Sequence, residues 1–207
     1  MAVQVGMAAL RSHGDDDVAL VQACRSGDLA AFEALVQRHQ RLLLNIAFRM
    51  TGEYEDACDI VQDSFIAAWQ KLGDFRGEAK LSTWLTAIVV NQARNRCQQV
   101  RQRQRHEAYS LDAPLPGEDN DRLADPPSGA PSALDGLEEA ELRGFLKRCI
   151  DALTPEFREV LVLRDMQELA YDEVAAALQL RDGTVKSRLF RARDAVKECL
   201  RRAVGTI

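Results

Sequence analysis

No run of apolar residues in this sequence approaches the length of a bilayer-spanning helix, so membrane insertion is not expected. The first residues also lack the charged, then apolar, then small-residue order of a secretory leader, and the expected compartment is the cytoplasm. Five cysteines, Cys24, Cys58, Cys97, Cys149 and Cys199, stand far apart without a C-x-x-C pair, which argues against both a zinc site and a disulfide framework. They are expected to be reduced and mostly structural. A glycine-rich phosphate loop is missing, and His13, His39 and His106 have no nucleophile or metal-ligand cluster to serve. Neither enzyme chemistry nor a cofactor or metal is expected. Strand-like alternation is nearly absent while helical periodicity dominates, so the expected fold is all-α.

Acid is missing where the overall charge would lead one to look for it. From Ala79 to His106 there is none, while Lys80, Arg94, Arg96, Arg101, Arg103 and Arg105 make the stretch strongly basic. A second island, Arg181 to Arg202, sets eight cations against three acids. Because the whole chain carries a formal charge of -5, everything else must be markedly acidic. Two basic islands in an acidic background are the footprint of polyanion binding.

A short helix around Val18 to Arg25 is followed by Gly27, and Asp28 is placed to cap a helix whose Leu29, Phe32, Val36, Leu43, Ile46 and Met50 share an apolar face. Thr51-Gly52 ends it. The third helix, in EYEDACDIVQDSFIAAWQKL, turns Ala57, Ile60, Val61, Ala68 and Trp69 inward, and a fourth starts near Ser82 and runs into the first basic island. Residues 107–136 then hold five of the six prolines among glycines and acids, too little apolar surface to fold alone. This is a linker. Two small helical domains are therefore expected, 17–106 and 137–203, after an N-terminal tail of residues 1–16.

The second domain starts with LEEAELRGFLKRCIDAL, after which Thr154-Pro155 opens another helix. YDEVAAALQL, the turn Arg181-Asp182-Gly183, and TVKSRLFRARDAVKECL then give a short helix, a tight turn and a longer helix, the layout of a helix-turn-helix. Winding the last helix at about 100° per residue puts Val185, Leu189, Ala192 and Val196 on one stripe. Lys186, Ser187, Phe190 and Arg191 fall opposite, a face that suits a DNA major groove.

The order DACDIVQDSFIAAW, GDFRGEAKLSTWLTAIVVNQARN, acidic tether, LTPEFREVLVLRDMQELAYDEVAAALQLRDGTVKSRLFRAR resembles the bacterial sigma factors of the extracytoplasmic function group, in the sigma-70 family. The likeness runs from about Asp16 to Arg202 and carries two ordered signatures. It implies a region 2 helical bundle and a region 4 helix-turn-helix, with core RNA polymerase (its clamp coiled coil and flap), promoter DNA and an anti-sigma protein as partners. Asp56, Asp59, Gln62 and Asp63 are implied to meet the clamp, and the three aspartates recur as an acidic stripe off the apolar face. Arg76, Lys80, Ser82, Thr83, Trp84, Asn91, Arg94 and Asn95 are implied to read and hold the minus-ten element as single strand. Trp84 has two readings, a base-stacking platform or a core residue. For the minus-thirty-five element the implied set is Arg164, Thr184, Lys186, Ser187, Arg188, Phe190 and Arg191.

The likeness is imperfect at two positions. Leu81 stands where an aromatic is more usual, and Ala170 replaces the serine that would pair with Glu173 in a capping box, weakening that cap by about 1 kcal/mol. The acidic linker is implied to mimic nucleic acid in a basic polymerase channel, or else to serve as a solvated spacer. A reading from another class, a stand-alone helix-turn-helix regulator with a helical dimerising domain, requires an apolar dimer face in the first domain.

Overall fold

A computed structural model describes residues 17–108 and 133–204, so the expectations for the tail and for most of the linker lie outside the described residues. Eight helices and no strand are found among the described residues. The first four are α1 (residues 17–25), α2 (Leu29–Thr51), α3 (Tyr54–Lys71) and α4 (Leu81–Ala108), with a short 3-10 turn at Leu72–Asp74. The second set is α5 (Ala133–Asp151), α6 (Pro155–Leu161) continuing into a π-helical turn at Val162–Met166, α7 (Tyr171–Leu178) and α8 (Asp182–Val204).

Helix α2 starts where Asp28 Oδ1 accepts from the amides of Ala30 at 2.9 Å and Ala31 at 3.2 Å, and stops at Gly52. Gly52 sits at φ 83° and returns its amide to Phe48 O at 2.8 Å, a left-handed cap open to glycine. Replacing Asp28 by alanine leaves two amides without that acceptor, and is expected to cost about 1 kcal/mol, read as a lower urea midpoint.

The core face of α2 matches the expected one at Leu43, Ile46 and Met50 and differs at its N-terminal half. Leu35, His39, Leu43, Ile46 and Met50 are buried, whereas Leu29 is 69% exposed and Phe32 and Val36 are half-buried. Two apolar stripes compete on this helix, and α3 and α4 cover the one that contains Leu43 and Ile46. On α3 the residues Ala57, Ile60, Val61 and Ala68 are buried as expected, joined by Phe65, while Trp69 is half-buried and rests edge-on against Phe32 at 4.8 Å. Arg25 clasps the end of this bundle by donating to the carbonyls of Leu72 and Phe75.

In the second unit, α5 begins at Ala133, earlier than the expected Leu137. Val160, Leu161, Val162 and Leu163 are buried in succession, more than one face of an ordinary helix can hide. They are sandwiched, with α8 on one side and α2 on the other, and the helix widens into its π turn there. The turn of the helix-turn-helix also differs from expectation. Gln179, at φ 55°, takes the left-handed position and gives its amide to Ala176 O, while Gly183 lies inside the first turn of α8. Leu180 N reaches back to Ala175 O at 2.9 Å, so the reversal is closed by main-chain bonds before the glycine is reached.

The cysteines require a correction. Cys149 of α5 and Cys199 of α8 are joined as a disulfide with a Cα separation of 5.7 Å, whereas Cys24, Cys58 and Cys97 are free thiols. Packing of α5 on α8 brings together two residues separated by 50 positions, which sequence spacing does not display.

Candidate nucleic-acid and polymerase interface

The apolar stripe of α8 is buried at Val185, Leu189, Ala192 and Val196, which fixes the rotation of the helix and turns Lys186, Ser187, Phe190 and Arg191 to solvent. Phe190 is 73% exposed, an unrewarded position for an aromatic unless something covers it. Tyr171, at the start of α7, lies beneath two cations: the Arg164 guanidinium is 4.9 Å from its ring centre and Lys186 Nζ is 5.8 Å away. The ring draws together a residue of the π turn and one of α8. Thr184 and Arg188 are half-buried, and Arg188 lies 3.7 Å from Glu156 of α6.

Sequence reasoning gave no role to Asp165 and Arg193. Their two parallel bonds, 2.8 and 2.6 Å, lash the π turn to α8 below the exposed face. Glu173 keeps half of the capping box, accepting from Ala170 N at 2.9 Å, and alanine has no hydroxyl to supply the other half.

On α3, Asp59, Gln62 and Asp63 are exposed along one side. Asp56 is not free with them: it accepts from Arg96 Nε at 2.9 Å and from a second nitrogen of the same guanidinium. That bond, with the nearby Asp59 and Asp63 charges, raises the Arg96 pKa above the ordinary arginine value. Beside the stripe runs an apolar groove between α2 and α3 of about 840 Å³, lined by Leu29, Phe32, Val36, Tyr54, Ile66 and Trp69 among others. Sequence reasoning missed it because Leu29 and Trp69 had been counted into the core.

Gly77, at φ 74°, bends the segment before α4 and leaves Arg76 and Lys80 exposed. Ser82 is half-buried, and Thr83 is only 4% exposed, so in this conformation its hydroxyl is not presented to a ligand. Leu81 is buried too. Trp84 is half-buried against Phe75, ring centres 5.2 Å apart, which leaves part of the indole accessible. About two and three turns beyond Trp84, Asn91 and Asn95 are exposed on the same helix. Arg94 is between them and gives a long bond of 3.4 Å to Asn91 Oδ1.

Arg94 is directed mainly at the other unit. Its Nε and Nη2 donate to the two oxygens of Glu159 at 2.7 and 2.6 Å, and Glu159, on α6, is 3% exposed. The Glu159 hydrogen bond raises the Arg94 pKa against the opposing effect of burial. Lys80 Nζ likewise meets Glu173 Oε1 of α7 at 2.7 Å, and Arg158 donates to Met50 O at 3.0 Å across the same boundary. Between the units remains a cleft of about 450 Å³ with Arg94, Arg101, Arg158 and Arg188 on its walls.

Among the described residues no cluster of His, Cys, Asp and Glu could hold a metal ion, and no helix is long and apolar enough to cross a membrane. What the geometry offers is two cationic helical faces on separate helical units, one of them a helix-turn-helix, together with an acidic stripe on α3. The sequence matches the models for Sigma-70 region 2 at residues 35–105 and Sigma-70 region 4 at residues 146–196. It is 31% identical to the RNA polymerase sigma-H factor of Pseudomonas aeruginosa over 90% of this chain and 94% of that protein. It is 35% identical to the ECF RNA polymerase sigma-E factor of Escherichia coli (strain K12), over 87% and 92%. Among solved structures it resembles CnrH in complex with the cytosolic domain of CnrY, at TM-score 0.60, 28% identity and coverage of 89% and 97%. It also resembles the sigma factor RpoE in complex with the anti-sigma factor NepR from Bartonella quintana, at TM-score 0.58, 26% identity and coverage of 82% and 96%. The chain belongs to the extracytoplasmic function group of RNA polymerase sigma factors. It is an alternative sigma factor, which binds core polymerase, recognises minus-ten and minus-thirty-five promoter elements and promotes DNA melting and initiation. The stand-alone regulator reading is not favoured.

Proposed function

We propose that these tasks are divided among the surfaces described above, with domain limits near 17–106 and 137–203. Asp59, Gln62 and Asp63 present the acidic stripe to the clamp coiled coil, and the adjacent apolar groove adds contact area. Asp56 serves the same edge indirectly by fixing Arg96. Arg76, Lys80 and Arg94 hold phosphates of the opened minus-ten strand, Asn91 and Asn95 read its upstream bases, and Ser82 and Trp84 line the base pocket. Thr83 shapes that pocket from within the core. Lys186, Ser187, Phe190 and Arg191 enter the major groove of the minus-thirty-five element, flanked by Arg164, Thr184 and Arg188 on phosphates. The chain works in the cytoplasm as the promoter-reading subunit of an enzyme whose catalytic centre lies elsewhere. An anti-sigma protein controls it, as the complexes formed by CnrH and RpoE suggest.

The observation that carries this division is the rotation of α8. Burial of Val185, Leu189 and Ala192 leaves Phe190 and its cationic neighbours no other way to face. The test is run-off transcription with purified core polymerase on a promoter template, where one discrete start is expected with the chain present and none without it. Reversing Asp59 and Asp63 to lysine is expected to cut co-purification with core at least tenfold while the helical signal is unchanged, since both side chains are off the core. Wild-type yield from the double variant would move the clamp site away from α3.

A further inference from the structure

We propose that the arginine-lined cleft is a binding site for a small phosphorylated anion, a diphosphate group either free or carried by a nucleotide, held between Arg101 of α4 and Arg188 of α8. At about 450 Å³ the cleft has the volume of a small-ligand pocket, and four arginines stand on its walls against two glutamates. Two positive charges are left over in a partly enclosed space, where salt screens them less than on an open surface. Apart from Met50, Cys97 and Pro155, every lining residue is polar or charged, so the part of a ligand that is recognised here is the charged part.

The four guanidiniums are not equivalent. Arg94 is spent on Glu159, whose two oxygens accept from it at 2.7 and 2.6 Å, and that pair is neutral. Arg158 donates to the carbonyls of Ile150, Met50 and Asp151, which satisfies its N–H groups without cancelling its charge. Arg188 has Glu156 at 3.7 Å, beyond hydrogen-bond range, and that carboxylate is 66% exposed. Arg101 is exposed and has no ion pair or hydrogen bond among the described residues. The field they make is felt at Cys97: burial raises its thiol pKa, and the Arg158 and Arg101 charges pull against that rise. Asp56 and Glu159 add to it by less, each being already paired with an arginine. Two forks with donors to spare, Arg101 and Arg188, thus remain, with the Gln98 amide lining the same cleft. A guanidinium grips a phosphoryl group through two parallel bonds, and a diphosphate supplies one such group to each. Because the walls come from both units, a bound ligand strengthens their contact in proportion to its own occupancy.

The test uses the full chain in magnesium-free buffer with pyrophosphate as the probe and calorimetry to give its dissociation constant. At about five times that constant, Cys97 should react with iodoacetamide about sixfold more slowly, since only about one site in six is then empty. Cys58, a free thiol in the groove between α2 and α3, should react at an unchanged rate. Arg101→Gln removes one charge-assisted grip and should weaken pyrophosphate binding about tenfold. Lys197→Gln, an exposed change on α8 outside the cleft, should bind as the wild type does. Repeating the titration with ATP and AMP separates the sources: ATP binding tighter than pyrophosphate assigns the site to a nucleotide, and equal or weaker binding assigns it to free diphosphate. AMP, with a single phosphoryl group, should bind about tenfold more weakly than ATP. Unprotected Cys97, protection reproduced by sodium chloride at the same ionic strength, or wild-type affinity in Arg101→Gln would overturn the site. An equal loss in Lys197→Gln would do so too, by showing a diffuse charge effect, and AMP as tight as ATP would overturn the diphosphate assignment.

Discussion

Promoter duplex offered to this chain without core polymerase is expected to bind weakly, with a dissociation constant in the range of about 10⁻⁴ to 10⁻⁶ M, and to be lost steeply as salt rises. The cause is the division of the surface. Arg164, Lys186, Arg188 and Arg191 belong to one module and Arg76, Lys80 and Arg94 to another, so neither collects enough phosphates to hold DNA alone. Together they would lose about a thousandfold or more in affinity between 50 and 200 mM salt, because each neutralised phosphate releases a counterion. Two of these cations are also occupied by Glu159 and Glu173 in the free chain. Fixing both modules on core polymerase makes the second contact intramolecular and should raise promoter affinity by about 10² to 10⁴. Fluorescence anisotropy with labelled promoter, with and without core, across a salt series, checks both statements. Nanomolar, sequence-specific binding by the free chain at 150 mM salt would favour a stand-alone regulator.

The rotation of α8 was legible because its signal is local. Val185, Leu189, Ala192 and Val196 recur with the helical period, nothing else on α8 competes for the core, and all four are buried. The same reasoning held for Leu43, Ile46 and Met50 of α2 but misplaced Leu29, Phe32 and Val36, which form a second apolar stripe, and only the positions of α3 and α4 decide which one is covered. Gly183 drew the turn to itself by residue type. Gln179 adopts the left-handed conformation instead, since the main-chain bonds from Gln179 to Ala176 and from Leu180 to Ala175 offset a preference of about 1 kcal/mol.

The candidate site divides along similar lines. Exposed side chains on regular helices, such as Asn91, Asn95, Lys186 and Arg191, can be placed from spacing alone. Thr83 could not, because an N-terminal turn has side chains on every side and which of them is buried depends on the loop before it. Arg94 with Glu159, and Arg193 with Asp165, join residues 65 and 28 positions apart. A pairing of that kind leaves no periodic trace. A glutamate within PEFREVLVL reads as one more helix surface residue until α4 is found against it.

Opening the Cys149–Cys199 bridge is expected to lower the stability of the second unit strongly. The bond closes a loop of about 50 residues around α6, α7 and most of α8, and loop-closure entropy for that length amounts to about 4 kcal/mol. In a unit of some 70 residues this corresponds to a fall in melting temperature on the order of 20 °C. The recognition face should suffer less than the stability does, because Val185, Leu189 and Ala192 anchor the first half of α8 independently of Cys199. A reducing cytoplasm would hold the two thiols apart, so the dithiol form is the one to compare with the bridged form under conditions that set each state. Thermal melts with and without reductant, and of Cys149→Ser with Cys199→Ser, should superimpose in the low-temperature helical signal and separate at the transition. The Asp28→Ala variant serves as a control, since its lowered stability lies in the first domain and should not respond to reductant beyond the wild-type shift. Coincident melts for oxidised and reduced protein would show that α5 is held on α8 by Ile150, Leu153 and their apolar neighbours without help from the bridge.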